Sequence, residues 1–307
     1  MKNLKKSTII LSILSFLTLF TSANADIKVV ASIKPIHSLA SYLMDGIAKP
    51  NLIVDGYASP HGFALKPSHA KMLQNADIVF WVGEDLENFL EKPLSSIAKK
   101  AEKIELLEVK GLVKLKFRER NIFDDHEDHD DHDGHEGHNH GEFDPHIWLD
   151  PINAKVILFE MSKHLIENDP SNETAYRANL SKAYKEIDKL TKDVTAELNE
   201  STASIVFHDA YQYFEKRFNV NILGAFTVNT DVMPGAEQLK EIREVIEHDK
   251  VACVFSEPQF NPDIIKAVAK DMNIKTGIVD PLGATLNPGK ILYFDLIKNM
   301  SKSFKGC

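Results

Sequence analysis

Short runs of β-branched and apolar residues alternate with helical patterns along most of this 307-residue chain. Such alternation is typical of α/β units, in which helices cover both faces of a parallel sheet. The pattern therefore predicts an α/β protein with two similar lobes, each containing a parallel four-stranded sheet. The eight predicted strands are Ile27 to Ala31, Asn51 to Val54, Ile78 to Val82, Ile104 to Leu106, Ser204 to Phe207, Ile222 to Ala225, Val251 to Phe255 and Thr276 to Val279.

A segment with a different hydrophobic periodicity lies between the two halves of the chain. After Asp169-Pro170, a favourable helix start, apolar residues recur every three or four positions as far as Leu198. This spacing predicts about 28 residues of amphipathic helix, roughly 40 Å long, which is enough to span both lobes. A coiled-coil dimer arm is the alternative, but the pattern lasts only about three heptads, so we expect a monomer. The predicted organisation is an N-terminal lobe over 26–168, a rigid linking helix over 169–200 and a C-terminal lobe over 201–307.

Residues 1–25 have the three-part form of a secretory signal peptide. Lysines precede an apolar run from Ile9 to Phe20, and small residues end at Ala25. The run is too short for the roughly 20 residues that a membrane span needs. No cysteine precedes Cys253, which excludes a lipidated N-terminal cysteine. We therefore expect an exported, unanchored protein, and a Gram-negative periplasm is the compartment that fits best.

Residues 124–142 are rich in acidic residues and histidines. This segment has nine acidic residues, three glycines and no basic or apolar residue, so it cannot bury a core and is predicted to be a disordered loop. The formal net charge of −9 comes largely from this segment, and the remaining body lacks the basic face that nucleic-acid binding requires. The histidines of residues 124–142 are close enough in sequence to form a secondary metal site, although a solvated linker is the alternative. They are His126, His129, His132, His135, His138 and His140.

Four candidate metal ligands lie beyond predicted strand ends or in a turn fixed by two prolines. They are His61, His146, His208 and Asp280. In open α/β sheets, ligands collect at the carboxyl edge of the strands, so we expect these side chains to converge. Three neutral imidazoles with a carboxylate or a water suit Zn²⁺, whereas Mn²⁺ and Mg²⁺ prefer more oxygen ligands. Three other histidines, His69, His164 and His248, lie in charged helical contexts and are predicted to be solvated.

The two cysteines, Cys253 and Cys307, are predicted to form a disulfide because an exported protein folds under oxidising conditions. Free thiols are the alternative. A thiolate metal site is disfavoured because the chain has no further cysteine to complete it.

Several motifs resemble those of the metal-binding solute receptors of ABC uptake transporters, especially the zinc receptors of Gram-negative periplasms. The resemblance covers essentially the whole mature chain, and its most specific part is Asp144-Pro145-His146-Ile147-Trp148-Leu149-Asp150-Pro151, preceded by the His/Asp-rich insertion. The other motifs are Ala31-Ser32-Ile33-Lys34-Pro35, Ser59-Pro60-His61, Lys66-Pro67-Ser68, Phe207-His208-Asp209-Ala210-Tyr211 and Asp280-Pro281-Leu282-Gly283.

The resemblance implies two lobes joined by a long helix, with metal held between them by His61, His146 and His208. Manganese-type relatives carry Glu at the position of His208, so this residue favours zinc. Some zinc receptors carry Glu immediately before the first ligand, where this chain has Pro60. Asp280 or a water is then expected as the fourth ligand. The resemblance also implies the disulfide between Cys253 and Cys307.

The resulting hypothesis is a periplasmic receptor that captures Zn²⁺ and delivers it to a membrane permease without catalysing a reaction. A receptor for manganese or another divalent metal is the first alternative. A zinc-dependent hydrolase is less favoured, because no His-Glu-x-x-His helix, Gly-x-Ser-x-Gly elbow, P-loop or nicotinamide fingerprint occurs. An adhesin or a metal-storage protein is a third possibility.

Overall fold

The computed structural model describes residues 26–123, 141–198, 202–230 and 232–307. The predicted signal peptide and the six histidines of the acidic segment lie outside these residues. In the described part, no helix is both long enough and apolar enough to cross a membrane.

The first lobe is built on four parallel strands in the order β2-β1-β3-β4. All five residues of β1 are buried, as expected for a central strand covered on both faces. Proline occupies the first turn of two of its helices, α1 and α2, where the missing N–H costs no hydrogen bond. The elements are β1 (Val29–Ile33), α1 (Lys34–Leu43), β2 (Asn51–Val54), α2 (Pro67–Asn75), β3 (Ile78–Trp81), α3 (Glu84–Ser96) and β4 (Glu102–Glu105).

Two long helices follow the first lobe, α4 (Pro151–Asn168) and α5 (Glu173–Glu197). The predicted linking helix is confirmed as the 25-residue α5, about 38 Å long, which starts after a 3₁₀ turn over Pro170–Asn172. The Tyr184 hydroxyl donates to the Lys155 carbonyl on α4, at 3.0 Å.

The second lobe repeats the plan of the first, with four parallel strands in the order β6-β5-β7-β8. The predicted α/β class with two parallel four-stranded sheets is therefore confirmed. The elements are β5 (Ser204–His208), α6 (Gln212–Phe218), β6 (Ile222–Thr227), α7 (Ala236–His248), β7 (Cys253–Ser256), α8 (Asp263–Met272), β8 (Lys275–Ile278) and α9 (Leu292–Lys305).

Strand boundaries differ from the predicted ones by one or two residues, except that β2 matches. The first strand starts at Val29 rather than Ile27, and β4 lies over Glu102–Glu105 rather than Ile104 to Leu106. In β4 only Ile104 is buried, so the apolar run at its end marks a following 3₁₀ turn instead of the strand.

The last helix, α9, joins the two lobes a second time. The Tyr293 amide donates to the Ser38 hydroxyl on α1, and the Tyr293 hydroxyl donates to the Trp148 carbonyl. Its far end is held by the predicted disulfide, because Cys307 is bonded to Cys253 on β7. The C-terminal helix thus contacts the first lobe and is covalently fixed to the second.

A short stretch from the first half of the chain extends the second sheet. Residues 121–123 lie antiparallel to β6: the Phe123 amide donates to the Leu223 carbonyl, and the Ala225 amide donates to the Asn121 carbonyl. Gly224 makes this pairing possible, because a Cβ there would lie 2.5 Å from the Asn121 carbonyl oxygen. This stretch falls within the range predicted for the N-terminal lobe, so the acidic segment that follows it begins from the second lobe.

Candidate metal centre

Three histidines from separate elements converge between the lobes. His61 lies in the loop after β2, His146 precedes the 3₁₀ turn that leads into α4, and His208 is the last residue of β5. One ring nitrogen of each lies within 4.8 Å of the other two, and Nε2 of His208 is 3.4 Å from Nε2 of His146. Nitrogen ligands around a tetrahedral Zn²⁺ at 2.0–2.1 Å are separated by about 3.3 Å. The three imidazoles are therefore spaced to share one ion.

His146 is held by the aspartate two residues before it. Oδ1 of Asp144 accepts hydrogen bonds from the His146 Nδ1 at 2.7 Å and from the His146 backbone N–H at 2.9 Å. Because Asp144 accepts from Nδ1, the proton of the neutral ring is assigned to Nδ1, and the Nε2 lone pair faces the other two rings. Burial, together with the charge that His208 carries when protonated, lowers the pKa of His146 well below its usual value. The ring is therefore in the neutral form that binds metal.

His208 is held in the same way by a carboxylate from the neighbouring strand. Oε1 of Glu257, which follows β7, accepts a hydrogen bond from the His208 Nδ1 at 2.7 Å. Burial alone would lower the pKa of His208, but the charge and hydrogen bond of Glu257 raise it above the usual value. Both rings thus present Nε2 to the centre. A carboxylate on the far nitrogen also increases the basicity of a metal-binding imidazole.

His61 is the most accessible of the three candidate ligands and is only partly buried. Its backbone N–H donates to the Ser59 hydroxyl at 3.3 Å, and Pro60 lies between them. Its ring centroid lies 5.6 Å from the centroids of both His146 and His208. The ligand set therefore combines two buried, carboxylate-held rings with one ring near the cleft mouth.

Asp280 is not brought into this group of ligands. Its Oδ1 accepts hydrogen bonds from the Leu282 and Gly283 amides and from the Gln259 side chain, and its Oδ2 accepts one from the Ala284 amide. Four donors thus contact the carboxylate oxygens, and the side chain holds the loop after β8.

Two residues that hold the site, Asp144 and Glu257, had no predicted role. Glu257 lies two residues after the predicted strand Val251 to Phe255, so the rule that selected His208 also applies to it. Asp144 belongs to the most specific motif, but its contact with the ring two residues later depends on a local turn that the spacing alone does not define.

A cavity on the side of the cleft lies next to the three histidines and next to Gly141, at the end of the acidic segment. It is lined by His61, His146 and His208, and also by Asp85, Gly141 and Asp209. Gly141, near the end of that segment, is its first described residue, and a Cβ there would collide with the Asp85 carboxylate. The acidic segment therefore rejoins the described fold beside the candidate metal centre.

Arg118 connects the first half of the chain to the residue after His208. Its guanidinium donates to Asp209 Oδ1 at 3.2 Å and to Glu215 Oε2 at 2.6 Å. Burial raises the pKa of Asp209 to about 7, although the Arg118 charge opposes this shift.

The predicted solvation of the other histidines is only partly correct. His248 is exposed at the end of α7, but His69 is buried in α2. His164 is half-buried on α4 and contacts the carboxylates of Glu102 and Glu160, because the first sheet lies against the last turns of this helix.

The sequence and the fold both match known metal-uptake proteins. A family model described as zinc-uptake complex component A, periplasmic (ZnuA) matches residues 29–307. The high-affinity zinc uptake system protein ZnuA of Brucella abortus is 43% identical over 304 residues, with 91% of each chain covered. The corresponding protein of Yersinia pestis is 35% identical over 292 residues, with 92% of each chain covered.

Solved structures with the same architecture share less sequence. A crystal structure of ZnuA has a TM-score of 0.74 at 22% identity and covers 91% of this chain and 99% of that chain. The manganese-bound periplasmic metal-binding protein of Candidatus Liberibacter asiaticus has a TM-score of 0.74 at 17% identity, covering 91% and 98%. The laminin-binding protein of Streptococcus agalactiae has a TM-score of 0.73 at 22% identity, covering 91% and 100%. At these identities the structures show a shared fold alone.

Proposed function

Because this chain belongs to the ZnuA family of periplasmic zinc-uptake components, we propose that it captures one Zn²⁺ ion with His61, His146 and His208 and delivers it to the membrane permease of an ABC transporter. Members of this family are transport receptors and not enzymes, so the ion is cargo. The convergence of three imidazoles, two of them held by buried carboxylates, is the observation that carries this proposal.

Zinc is the ion that this donor set favours. Three nitrogen ligands suit a borderline metal in tetrahedral geometry, whereas Mn²⁺ prefers a site rich in carboxylate and water oxygens. A receptor for manganese or another divalent metal remains the alternative function.

We propose a water molecule as the fourth ligand. Asp280 is the alternative, but recruiting it would break partly buried hydrogen bonds to the amides of the loop after β8, which stabilise that loop. A water reaches the site through the side of the cleft where His61 is partly exposed.

The remaining sequence expectations become part of the proposal. The signal peptide is cleaved after Ala25, and the mature chain acts as an unanchored monomer in a Gram-negative periplasm. Residues 124–142 collect Zn²⁺ at low affinity through their six histidines, next to the cleft where Gly141 rejoins the fold.

Zinc titration of metal-free protein by calorimetry tests the ligand assignment. His208→Ala should weaken the tight binding event by more than the roughly 10- to 100-fold that loss of an outer hydrogen bond costs. His248→Ala, which removes an exposed histidine on α7, is the matched control and should bind like the wild type. Undiminished tight binding by the His208 variant would exclude this site.

The same site predicts a pH dependence of zinc retention. Protons and Zn²⁺ compete for the ring nitrogens, and the pKa of His208 is raised, so its proton competes at a higher pH than that of an ordinary histidine. Equilibrium dialysis at low free zinc, where only the tight site fills, should therefore show one retained zinc at pH 7.5 and strong loss at pH 5. Equal retention at both values would contradict a three-histidine site.

A further inference from the structure

A second group of metal-ligating side chains lies at the far end of α4. Glu102 on β4 and His164 and Glu167 on α4 each place one ligand atom within 4.8 Å of the others. We propose that this group binds a second Zn²⁺ ion, weakly and independently of the centre between the lobes.

The distances within the group suit a small divalent ion. Nδ1 of His164 is 2.8 Å from Oε1 of Glu102 and 3.9 Å from Oε2 of Glu167. Ligand atoms 2.0–2.2 Å from a tetrahedral Zn²⁺ are about 3.4 Å apart, so the two distances bracket the required spacing. Small side-chain rotations are enough to place the three atoms around one ion.

Neighbouring side chains orient two of the proposed ligands. Nδ2 of Asn168 donates to Oε2 of Glu102 at 2.8 Å, which turns the other carboxylate oxygen towards His164. On the opposite side of the ring, Nε2 of His164 lies 3.2 Å from Oε1 of Glu160. A proton on Nε2 shared with Glu160 leaves the Nδ1 lone pair for the metal, which is the arrangement by which outer carboxylates hold metal-binding histidines.

The charge around the group is suited to a cation. Among the described residues, Glu102 and Glu167 form no ion pair with lysine or arginine, while Lys163 pairs with Glu160. The exposed fractions of the His164, Glu102 and Glu167 side chains are 17%, 38% and 66%, so water can complete the coordination. One nitrogen and two oxygens suit Zn²⁺ better than Mg²⁺ or Ca²⁺, which prefer oxygen ligands.

The two sites are far enough apart to bind independently. The centre between the lobes includes His146, just before the start of α4 at Pro151, and His164 lies 13 positions further along that helix. At 1.5 Å per residue, this is about 20 Å along the helix. Glu102, moreover, begins β4, so it lies at the sheet edge opposite the metal-binding carboxyl edge.

Calorimetric zinc titration of the full metal-free chain tests the proposal. His164→Ala should abolish one weak zinc equivalent, and Glu167→Gln should weaken it about tenfold or more. Both variants should keep the tight event. His248→Ala is the control and should keep the wild-type stoichiometry, and residues 124–142 contribute equally to every titration because they are unchanged. Glu167 is largely exposed, so its substitution should leave the thermal unfolding temperature unaltered.

Zinc-edge anomalous diffraction locates the ion. The expected result is a peak beside Nδ1 of His164 in wild-type crystals that is absent from His164→Ala crystals. A titration in which the His164 and His248 variants bind the same number of ions would overturn the proposal. A peak seen only at crystal zinc concentrations, without a change in stoichiometry, would mean an adventitious ion only and would also overturn it.

Discussion

Two buried carboxylates fix the orientation of two of the proposed metal ligands. Asp144 and Glu257 each accept a hydrogen bond from the Nδ1 of a ligand histidine, so both rings turn Nε2 towards the cleft before any ion arrives. Preset ligands need little reorganisation on binding, which favours high affinity. The places of the histidines after predicted strands and in a turn between two prolines indicate the candidate ligands, but ring orientation depends on these outer contacts.

Glu257→Gln should weaken zinc binding about 10- to 100-fold, because the neutral amide no longer increases the basicity of the His208 ring. Calorimetry of metal-free protein measures this change, with the exposed Glu247→Gln on α7 as the matched control. The fold should tolerate the substitution, since it removes a buried charge. Unchanged affinity in the Glu257 variant would show that this contact does not support metal binding.

The burial of Glu87 predicts that the stability of the fold depends on pH, separately from metal binding. Its carboxylate accepts hydrogen bonds from the Val82 and Gly83 amides, but complete burial raises its pKa to about 7. Because the folded pKa lies above the unfolded value of 4.5, this group supports folding fully below pH 4.5 and loses that contribution as pH rises to 7. The shift corresponds to about 3 kcal/mol of unfolding free energy.

Glu87→Gln should therefore gain stability relative to the wild type between pH 4.5 and 7.5. Urea unfolding of metal-free protein across this range measures the difference between the two proteins, in which all other titrating groups cancel. Glu91→Gln, an exposed substitution on the same helix, is the control. A difference for Glu87 that does not vary with pH would contradict the assignment.

At the scale of elements, the pairing of residues 121–123 with β6 depends on the absence of a side chain at Gly224. Gly224→Ala should lower the unfolding free energy by about 1–3 kcal/mol, because the new methyl group collides with the Asn121 carbonyl. Gly62→Ala is the control, since nothing lies within 4 Å of its Cβ position. Equal urea midpoints for the two variants would mean that this edge contributes nothing to stability.

Strands and helices were predictable because each carries a local pattern, but their pairing across the lobes was not. Periodicity indicated eight strands and the long helix α5, and these elements are present with small boundary shifts. Residues 121–123 have no strand pattern of their own, because they add to an existing edge through backbone groups that any sequence can supply. A carboxylate after a strand can bind loop amides as readily as metal, so the position of Asp280 in the sequence does not decide whether it is the fourth ligand.

At the scale of the whole molecule, a buried lysine joins the two lobes. Nζ of Lys34 on α1 donates to the carbonyls of Gly283, Ala284 and Leu286 at 2.8–3.0 Å, and Asp55 lies 3.3 Å away. These carbonyls belong to the loop that Asp280 shapes after the last strand. The lysine thus ties the first helix of one lobe to the end of the other sheet.

Lys34→Met should lower the unfolding free energy by about 3 kcal/mol, because the apolar side chain leaves the three carbonyls without their donor. Urea unfolding measures this loss, and Lys71→Met on the exposed face of α2 is the control. A variant as stable as this control would show that the contact between the lobes is dispensable.

The anchoring of the acidic segment at both ends limits how far any ion bound to it could be from the described fold. The described chain leaves the edge of the second sheet at Phe123 and returns at Gly141, against Asp85. Whatever path the 17 intervening residues take, their contour length keeps every one of them within roughly 30 Å of an anchor. An ion bound to this segment would therefore have an effective local concentration near the fold on the order of millimolar.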